Sequence, residues 1–186
     1  MQEQEIIELA KQGDRKAMAD LVKKYEQTVY NFAFKICRDR DRAENTMQET
    51  FLSMVKSLGS FDGGSKLSTW LYRIVSNHCL MMARRNQKFE YVDVETEDSL
   101  FDDRYLSDTS RLPSVSVEND EVKAILDKAI SKLAPEYRLV FLLRDVEEQS
   151  TEETAKITGL SIPAVKSRLH RARAFLKNEL SETLLR

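Results

Sequence analysis

The chain has 186 residues, of which 41% are apolar and 32% charged, with 29 Lys and Arg residues against 31 Asp and Glu residues. It has only five Gly and three Pro residues, and this scarcity of helix breakers favours helices over strands. No run of about 18 apolar residues occurs, so we expect no membrane insertion. The acidic, amphipathic start also differs from the basic and apolar pattern of a signal peptide.

The chain has few Cys and His residues, the types that most often bind transition metals or act as nucleophiles and bases. Cys37 and Cys79 occur in no CxxC spacing, so neither a zinc site nor a disulfide framework is indicated. We expect both to be reduced, partly buried thiols of a cytoplasmic protein. The two His residues and the carboxylates form no catalytic constellation. We therefore expect no enzyme activity, no metal and no cofactor.

Charge divides the chain into three segments. Residues 1–89 hold 15 basic and 11 acidic side chains, a net charge of +4. Residues 90–121 hold 2 basic and 11 acidic side chains, a net charge of −9. Residues 122–186 hold 12 basic and 9 acidic side chains, a net charge of +3. Two mildly basic blocks therefore flank an acidic connector.

Residues 1–88 are predicted to form a helical bundle. Apolar residues recur at three- and four-residue spacing in three segments, as the buried face of a helix requires. A glycine-containing loop, residues 59–66, separates the second segment from the third, and a short amphipathic helix precedes all three. We therefore expect four helices in one bundle. The spaced positions are Leu21, Tyr25, Val29, Phe32 and Ile36; Ala43, Met47, Phe51, Met54 and Leu58; and Leu67, Leu71, Ile74, Val75, His78 and Met82.

Residues 89–121 are rich in Asp, Glu and Ser and show no sustained periodicity. This composition predicts a flexible acidic linker. Aromatic residues within it, such as Phe101 and Tyr105, argue against a purely solvated spacer and leave docking on another surface open.

Residues 122–186 are again predicted to be helical. Pro135 suits the first turn of a helix, and Ser150 with Glu153 forms a capping-box pattern. Gly159 suits a left-handed helix end, and Ser161 suits the N-cap of the next helix. A short helix, a turn containing Gly and a longer basic helix predict a helix-turn-helix domain. The predicted fold class is all-α, with two small helical domains joined by the acidic linker.

The basic helix has an apolar stripe that is expected to seat it on the domain core, and a polar face opposite. That face begins with small residues and continues with Ser, His and Arg, which suits close approach to a major groove and bidentate contacts to guanine. Basic residues on its flanks are expected to neutralise phosphates. A solvated charged helix surface is the alternative. The stripe comprises Ile162, Val165, Leu169, Ala172 and Leu176, and the flanks carry Lys166, Arg173 and Lys177 on one side and Arg168 on the other.

The glycine-containing loop and the helix after it carry a second nucleic-acid pattern. Lys66 precedes a segment with Trp70, Tyr72, Arg73 and Asn77. Aromatic side chains beside basic and amide groups form a surface on which unstacked bases stack, at about 1–3 kcal/mol per base. The alternative is that Trp70 and Tyr72 are core or boundary residues of the bundle.

Three segments resemble, in this order, signature segments of bacterial extracytoplasmic-function (ECF, group IV) RNA polymerase sigma factors. They are AENTMQETFLSMVKSL (43–58), FDGGSKLSTWLYRIVSNHC (61–79) and SIPAVKSRLHRARAFLK (161–177). The resemblance implies a protein that binds core RNA polymerase, directs it to promoters by recognising −10 and −35 elements, and helps to melt the DNA. It also implies an anti-sigma factor as a partner. The implied domains are region 2 at 1–88, the linker at 89–121 and region 4 at 122–186.

The resemblance also implies roles for individual residues. The first segment stands where the family docks on the polymerase clamp, although Asn45 replaces the usual Asp. The second stands where the family captures a flipped base of the melted non-template strand. The third stands where the family contacts the −35 duplex, although Pro163-Ala164 replaces a frequent Gly-Thr. The implied residues are Glu44, Gln48, Glu49 and Phe51 for polymerase; Gly63, Gly64, Ser65, Lys66, Trp70, Arg73 and Asn77 for the −10 element; and Pro163, Ala164, Lys166, Ser167, His170 and Arg171 for the −35 element.

Two other classes of protein remain as alternatives. A helical adaptor would bind only protein, with the basic helix as solvated surface. A helix-turn-helix repressor would bind duplex DNA as a dimer without polymerase. The loop with its aromatic residues and the acidic linker favour the sigma factor over the repressor, which needs neither.

Overall fold

A computed structural model describes residues 2–85 and 120–184 of the chain. These residues form eight α-helices in two compact units, and no β-strand occurs among them. The all-α prediction is thus confirmed for the described part of the chain. The predicted linker, residues 89–121, lies outside the described residues except at its end, because the fifth helix already begins at Asp120. None of the described helices is long and apolar enough to span a membrane.

The N-terminal unit contains α1 (Glu3–Lys11), α2 (Arg15–Cys37), α3 (Arg40–Ser57) and α4 (Leu67–Arg85), with a 3-10 turn at Leu58–Ser60. Asp14 and Asp39 begin the second and third of these helices. Their carboxylates accept the backbone N–H groups of Ala17 at 2.9 Å and Arg42 at 2.8 Å, which satisfies amides that the helix itself leaves unpaired.

Helix α2 is the centre of this unit, because it packs against α1, α3 and α4. The whole predicted α2 stripe is buried, as helical periodicity required. Its Phe32 ring lies 4.3 Å from the Tyr72 ring of α4, centroid to centroid.

The buried face of α3 differs from the prediction. Thr46 and Thr50 are completely buried, whereas Met47 and Phe51 are only half-buried. Burial of a threonine is tolerated here because the Thr50 hydroxyl donates to the Thr46 carbonyl at 2.7 Å, one turn earlier. The apolar pattern alone therefore placed the buried stripe of α3 slightly off its true position.

The C-terminal unit contains α5 (Asp120–Lys132), α6 (Pro135–Phe141) and α8 (Ile162–Leu184), and α7 (Thr151–Thr158) lies between α6 and α8 along the chain. Helix α6 continues as a π-helical turn over Leu142–Val146, and α8 packs against α5 and α6. Pro135 occupies the first turn of α6 as predicted.

Arg138 of α6 is buried, with 2% of its surface exposed. Its guanidinium donates to the carbonyls of Ile130 at 3.1 Å and of Ser131 and Leu133 at 2.6 Å. Carbonyls at a helix C-terminus lack partners within the helix. Arg138 supplies those partners at the end of α5 and so joins α5 to α6.

Candidate nucleic-acid and polymerase interfaces

The start of α8 is built by local capping. Gly159 ends α7 with a φ of +69°, and the Ser161 hydroxyl accepts the N–H of Ala164 at 3.3 Å. Ser150 caps α7 by accepting the N–H of Glu153 at 3.0 Å. The predicted helix ends are thus confirmed at Gly159 and Ser161, and Ser150 is confirmed as the N-cap half of the predicted capping box. Together they define a short helix, a turn and a long helix.

Helix α8 buries one face and exposes another. Val165, Leu169, Ala172 and Leu176 are buried as predicted. Ile162 is not, since 40% of its surface is exposed. Ile162 is the first residue of α8 and lies at the end of the buried stripe.

The six residues that the resemblance implies for the −35 element all lie in the N-terminal half of α8. Three are exposed and three are half-exposed, so none is part of the core. The pKa of Glu152 lies below its ordinary value, first because of its backbone hydrogen bond at the start of α7 and its hydrogen bond with Ser150. The charges of Arg144 and Lys166 add smaller contributions in the same direction. The exposed residues are Pro163, Lys166 and His170, and the half-exposed ones are Ala164, Ser167 and Arg171.

Arg173 differs from the prediction that it flanks the polar face for phosphate contact. Its guanidinium pairs with Asp145 in the π-helical turn, with Nη2 2.6 Å from Oδ1 and Nε 2.9 Å from Oδ2. This hydrogen bonding raises the pKa of Arg173. The positive charge of Arg173 is therefore paired with the carboxylate of Asp145 within the C-terminal unit.

The loop before α4 has a defined backbone. Gly63 has a φ of +75°, in the region that glycine adopts without strain. The next residue, Gly64, donates its N–H to the Asp62 carboxylate at 2.8 Å. Lys66 is exposed, and its carbonyl accepts the N–H of Trp70 at the start of α4. The loop therefore presents glycine backbone and one lysine directly at a helix N-terminus.

Three of the implied −10 residues continue this surface along α4. Trp70, Arg73 and Asn77 recur at three- and four-residue spacing, which places them on one helical stripe. Arg73 and Asn77 are exposed, and the half-buried Trp70 packs on the Phe61 ring at 5.5 Å. Tyr72 is 6% exposed and lies in the core, so the alternative of a core residue holds for Tyr72.

The residues implied for polymerase docking lie on the outer side of α3. Glu44, Gln48 and Glu49 are exposed, and Phe51 is half-buried. The structure adds two residues that the motif did not include. Leu52 and Val55 are 53% and 54% exposed, and they continue the stripe of Glu44 and Gln48. Their position off the buried stripe, at i+4 and i+7 from Gln48, was the available sequence signal.

Comparison with known proteins shows which family the chain belongs to. The Sigma-70 region 2 family matches residues 21–89, and the Sigma-70 region 4 family matches residues 123–176. The ECF RNA polymerase sigma factor SigW of Bacillus subtilis is 32% identical over 179 residues, 95% of each chain. RNA polymerase sigma-H factor of Pseudomonas aeruginosa is 31% identical over 189 residues, covering 98% of this chain and 96% of its own.

The chain belongs to the ECF-type RNA polymerase sigma factors. As a sigma factor it directs RNA polymerase to promoters. The region 2 match contains the outer face of α3 and the loop before α4, whereas the region 4 match contains the first half of α8.

Solved structures share the fold of this sigma factor. RpoE of Bartonella quintana, in complex with the anti-sigma factor NepR, has a TM-score of 0.64 at 26% identity, covering 89% of this chain and 98% of its own. CnrH, in complex with the cytosolic domain of CnrY, also has a TM-score of 0.64, at 22% identity, covering 95% of this chain and 96% of its own.

Proposed function

We propose that this ECF-type sigma factor belongs to group IV, acts in the cytoplasm and uses three separate surfaces for three steps of initiation. These are the outer face of α3 for core polymerase, the loop–α4 surface for the −10 element, and the N-terminal half of α8 for the −35 element. The observation that carries the proposal is that each motif is presented to solvent, on the outer sides of α3, α4 and α8 and in the loop before α4, while the opposite sides of these helices are buried. The proposed domains are 1–88, 122–186 and an acidic linker at 89–121.

The α3 docking face combines charge with apolar surface. Glu44, Gln48 and Glu49 offer acceptors and one amide, and Leu52 and Val55 offer exposed apolar area beside them. Protein interfaces gain affinity from a buried apolar centre within a polar rim. This face therefore has the composition of a surface that binds a specific protein partner.

The loop–α4 surface suits melted DNA. The exposed backbone at Gly63 and Gly64 lets a base approach closely, and Lys66 and Arg73 provide positive charge for phosphates. Holding a base out of the stack offsets the few kcal/mol that unstacking costs. We assign base capture to the loop and its support to Trp70 and Asn77.

The polar face of α8 suits duplex DNA. Pro163 and Ala164 are small, which allows the helix N-terminus to approach the major groove. Arg171 and His170 follow two turns later, and Arg is the side chain that most often contacts guanine bidentately. Because polymerase would hold both units, each can bind DNA weakly while the pair gains effective concentration. Catalysis then belongs to the polymerase, and this chain is not an enzyme.

An anti-sigma factor is the remaining partner that we propose. RpoE of Bartonella quintana was solved in complex with its anti-sigma factor NepR, and this chain is 26% identical to it over most of both lengths. An anti-sigma factor would block initiation by covering the docking face or the DNA-contacting surfaces.

Transcription in vitro with purified core polymerase and a linear promoter tests the proposal. Changing Leu52 and Val55 together to Ser should lower polymerase affinity at least about 10-fold, because two apolar contacts are lost. Leu9→Ser is the matched control, since Leu9 is also exposed but lies on α1. It should leave affinity unchanged. A chain that binds polymerase without promoter-specific transcripts would be an adaptor. One that binds duplex alone and never supports transcription would be a repressor.

A further inference from the structure

Two cysteines that lie 42 residues apart meet in the N-terminal unit. Cys37 is the last residue of α2, and Cys79 lies in the middle of α4. Their Sγ atoms are 2.8 Å apart. A disulfide bond is about 2.0 Å long, so the two sulfur atoms need to approach by less than about 1 Å. We infer that Cys37 and Cys79 form a dithiol site that closes to an intramolecular disulfide on reaction with a low-molecular-weight disulfide.

The two thiols differ in their access to solvent. Cys79 is buried, with 3% of its surface exposed, whereas Cys37 is partly exposed at the end of α2. A dissolved oxidant therefore meets Cys37 first. Cys79 is placed to resolve the mixed disulfide that results.

The site lies where α2, α3 and α4 come together. The Thr46 hydroxyl of α3 is 3.8 Å from the Cys37 sulfur and 3.9 Å from the Cys79 sulfur. The same hydroxyl lies 3.5 Å from the Met82 sulfur. A disulfide here would thus link α2 to α4 on the buried side of α3, where Thr46 lies. The outer face of α3 would stay uncovered.

The reaction is thiol–disulfide exchange in two steps. The Cys37 thiolate attacks one sulfur of glutathione disulfide and releases one glutathione thiolate, which takes up the proton from Cys37. The Cys79 thiolate then attacks the Cys37 sulfur and releases the second glutathione, which takes up the proton from Cys79. Two protein thiols become one disulfide, and one glutathione disulfide becomes two glutathione molecules.

The fold should favour this disulfide. Cross-linking two residues that the native structure already holds together restricts the unfolded chain far more than the folded one. By thermodynamic linkage, the equilibrium constant for disulfide formation is then larger in the native chain than in the denatured chain. For a loop of this length we expect a difference of about 30- to 900-fold. The oxidised N-terminal unit should accordingly unfold at a higher temperature than the reduced one.

The test uses the full chain in glutathione buffers of graded reduced-to-oxidised ratio, once native and once in guanidinium chloride. Samples are quenched in acid, remaining thiols are alkylated, and the Cys37–Cys79 peptide is quantified by mass spectrometry. We expect the native chain to form the disulfide at a reduced-to-oxidised ratio that leaves the denatured chain as dithiol. Equal equilibrium constants for the two states would overturn the inference, and so would disulfide-linked dimers in place of the internal bond.

Single variants test the order of reaction. Cys79→Ser should stop at a mixed disulfide between Cys37 and glutathione. Cys37→Ser should leave Cys79 unmodified in the native chain, because Cys79 is buried. If instead Cys79 in the Cys37→Ser variant acquires glutathione as fast as Cys37 does in the Cys79→Ser variant, the proposed roles are wrong. The native-to-denatured comparison of the unsubstituted chain needs neither variant to fold.

Discussion

Arg173 of α8 donates two hydrogen bonds to Asp145 in the π-helical turn after α6, one to each carboxylate oxygen. Their side chains are 22% and 15% exposed, so the pair is largely removed from water. A bidentate guanidinium–carboxylate pair fixes orientation as well as distance. It therefore helps to fix the rotation of α8 about its axis, and with it the direction of the polar face of α8 that we propose for the −35 element.

The first prediction concerns this ion pair. Asp145→Ala and Arg173→Ala should each lower the free energy of unfolding of the C-terminal unit by about 1–3 kcal/mol, since each leaves a partly buried charge without its partner. The double variant should lose less than the sum, because the partners act as one unit. Hydrogen exchange in α6 and α8 measures these differences. Additive losses would show that the two residues do not stabilise the unit through each other.

Sequence reasoning could not find this pair for a physical reason. A helical wheel describes one helix and assigns Arg173 to the flank beside Lys166 and Lys177. The partner that removes Arg173 from that flank lies 28 residues earlier, in a turn that departs from α-helical hydrogen bonding. The buried stripe of α8, by contrast, follows from periodicity alone, and only Ile162 departs from it.

The second prediction separates base contact from phosphate contact on α8. Arg171→Ala should relax preference at one −35 position, at about 1–3 kcal/mol, as expected for an Arg that contacts a base. Lys177→Ala should weaken consensus and scrambled duplexes alike and reduce the salt slope by about one unit, as expected for a phosphate contact. Binding of both duplexes by holoenzyme at several salt concentrations measures the two effects. Identical behaviour of the two variants would refute the assignment of Arg171.

The third prediction concerns two residues other than glycine that have a left-handed backbone. Glu148 after the π-helical turn has a φ of +53°, and Arg38 after α2 has a φ of +57°. Glu148→Gly should raise the free energy of unfolding of its unit by about 1 kcal/mol, because glycine adopts this conformation without strain. Arg38→Gly should gain less, since Arg38 lies over the Phe34 ring at 5.8 Å and that contact is lost.

Hydrogen exchange in each unit measures both changes separately. Glu148→Ala is the control, because alanine keeps the Cβ atom that causes the strain and should give no gain. A gain from alanine equal to that from glycine would mean that the backbone at Glu148 is unstrained. Neither position carries the glycine that would have predicted a left-handed turn from the sequence.

The fourth prediction concerns the attachment of α1 to α2 at low pH. The Glu3 carboxylate accepts hydrogen bonds from the Lys24 ammonium at 2.8 Å and from the Tyr25 hydroxyl. Lys24 first, and Tyr25 second, lower the pKa of Glu3 below its ordinary value of 4.5. Burial first, and then Glu3, raise the pKa of Tyr25, so its hydroxyl stays protonated to higher pH than that of an ordinary tyrosine.

A lowered folded-state pKa means that the unfolded chain binds more protons as the pH falls below 4.5. The stabilisation is therefore present above that pH and lost as the pH falls through the folded pKa. Because Glu3 is 39% exposed, we expect less than about 1 kcal/mol. Glu3→Gln should remove this dependence, and Tyr25→Phe should reduce it. Acid unfolding followed by Trp70 fluorescence measures both, and an unchanged profile for Glu3→Gln would contradict the prediction.

In the candidate surfaces too, features that depend on residues close in sequence were predictable, whereas features that depend on packing between helices were harder to predict. Capping at Ser150, Gly159 and Ser161 was predictable because it depends on residues a few positions apart. For Tyr72 the sequence left a core position and a base-stacking surface as two alternatives, because the choice depends on Phe32 of another helix. The exposure of Leu52 and Val55 was predictable in part, because their spacing from Gln48 places them off the buried stripe, although their apolar character alone favours the core.

The last prediction concerns the melting of promoter DNA, in which we propose that the loop before α4 captures a base. Gly63→Ala places a side chain at a φ of +75°, and the Cβ of Gly64→Ala would lie 3.1 Å from an Asp62 carboxylate oxygen. Both changes remodel the loop, and Lys66→Ala removes its charge. The triple variant should lower open-complex formation on duplex promoter by about 5- to 150-fold, the loss expected for one captured base at about 1–3 kcal/mol. Permanganate reactivity of −10 thymines measures it.

On a template already mismatched at the −10 region, the triple variant should regain part of the open-complex formation that it lost. The base pairs are already open on this template, but capture of the flipped base is still impaired. Polymerase affinity should be unchanged, since the outer face of α3 is not altered. Gly59→Ala is the matched control: it lies in the 3-10 turn Leu58–Ser60, ahead of the Gly63–Gly64 pair, and an added Cβ there has nothing within 4 Å. If the triple variant melts duplex promoter as fast as Gly59→Ala does, the loop only connects two helices. Base capture would then have to be assigned to the α4 stripe of Trp70, Arg73 and Asn77, which the triple variant leaves intact.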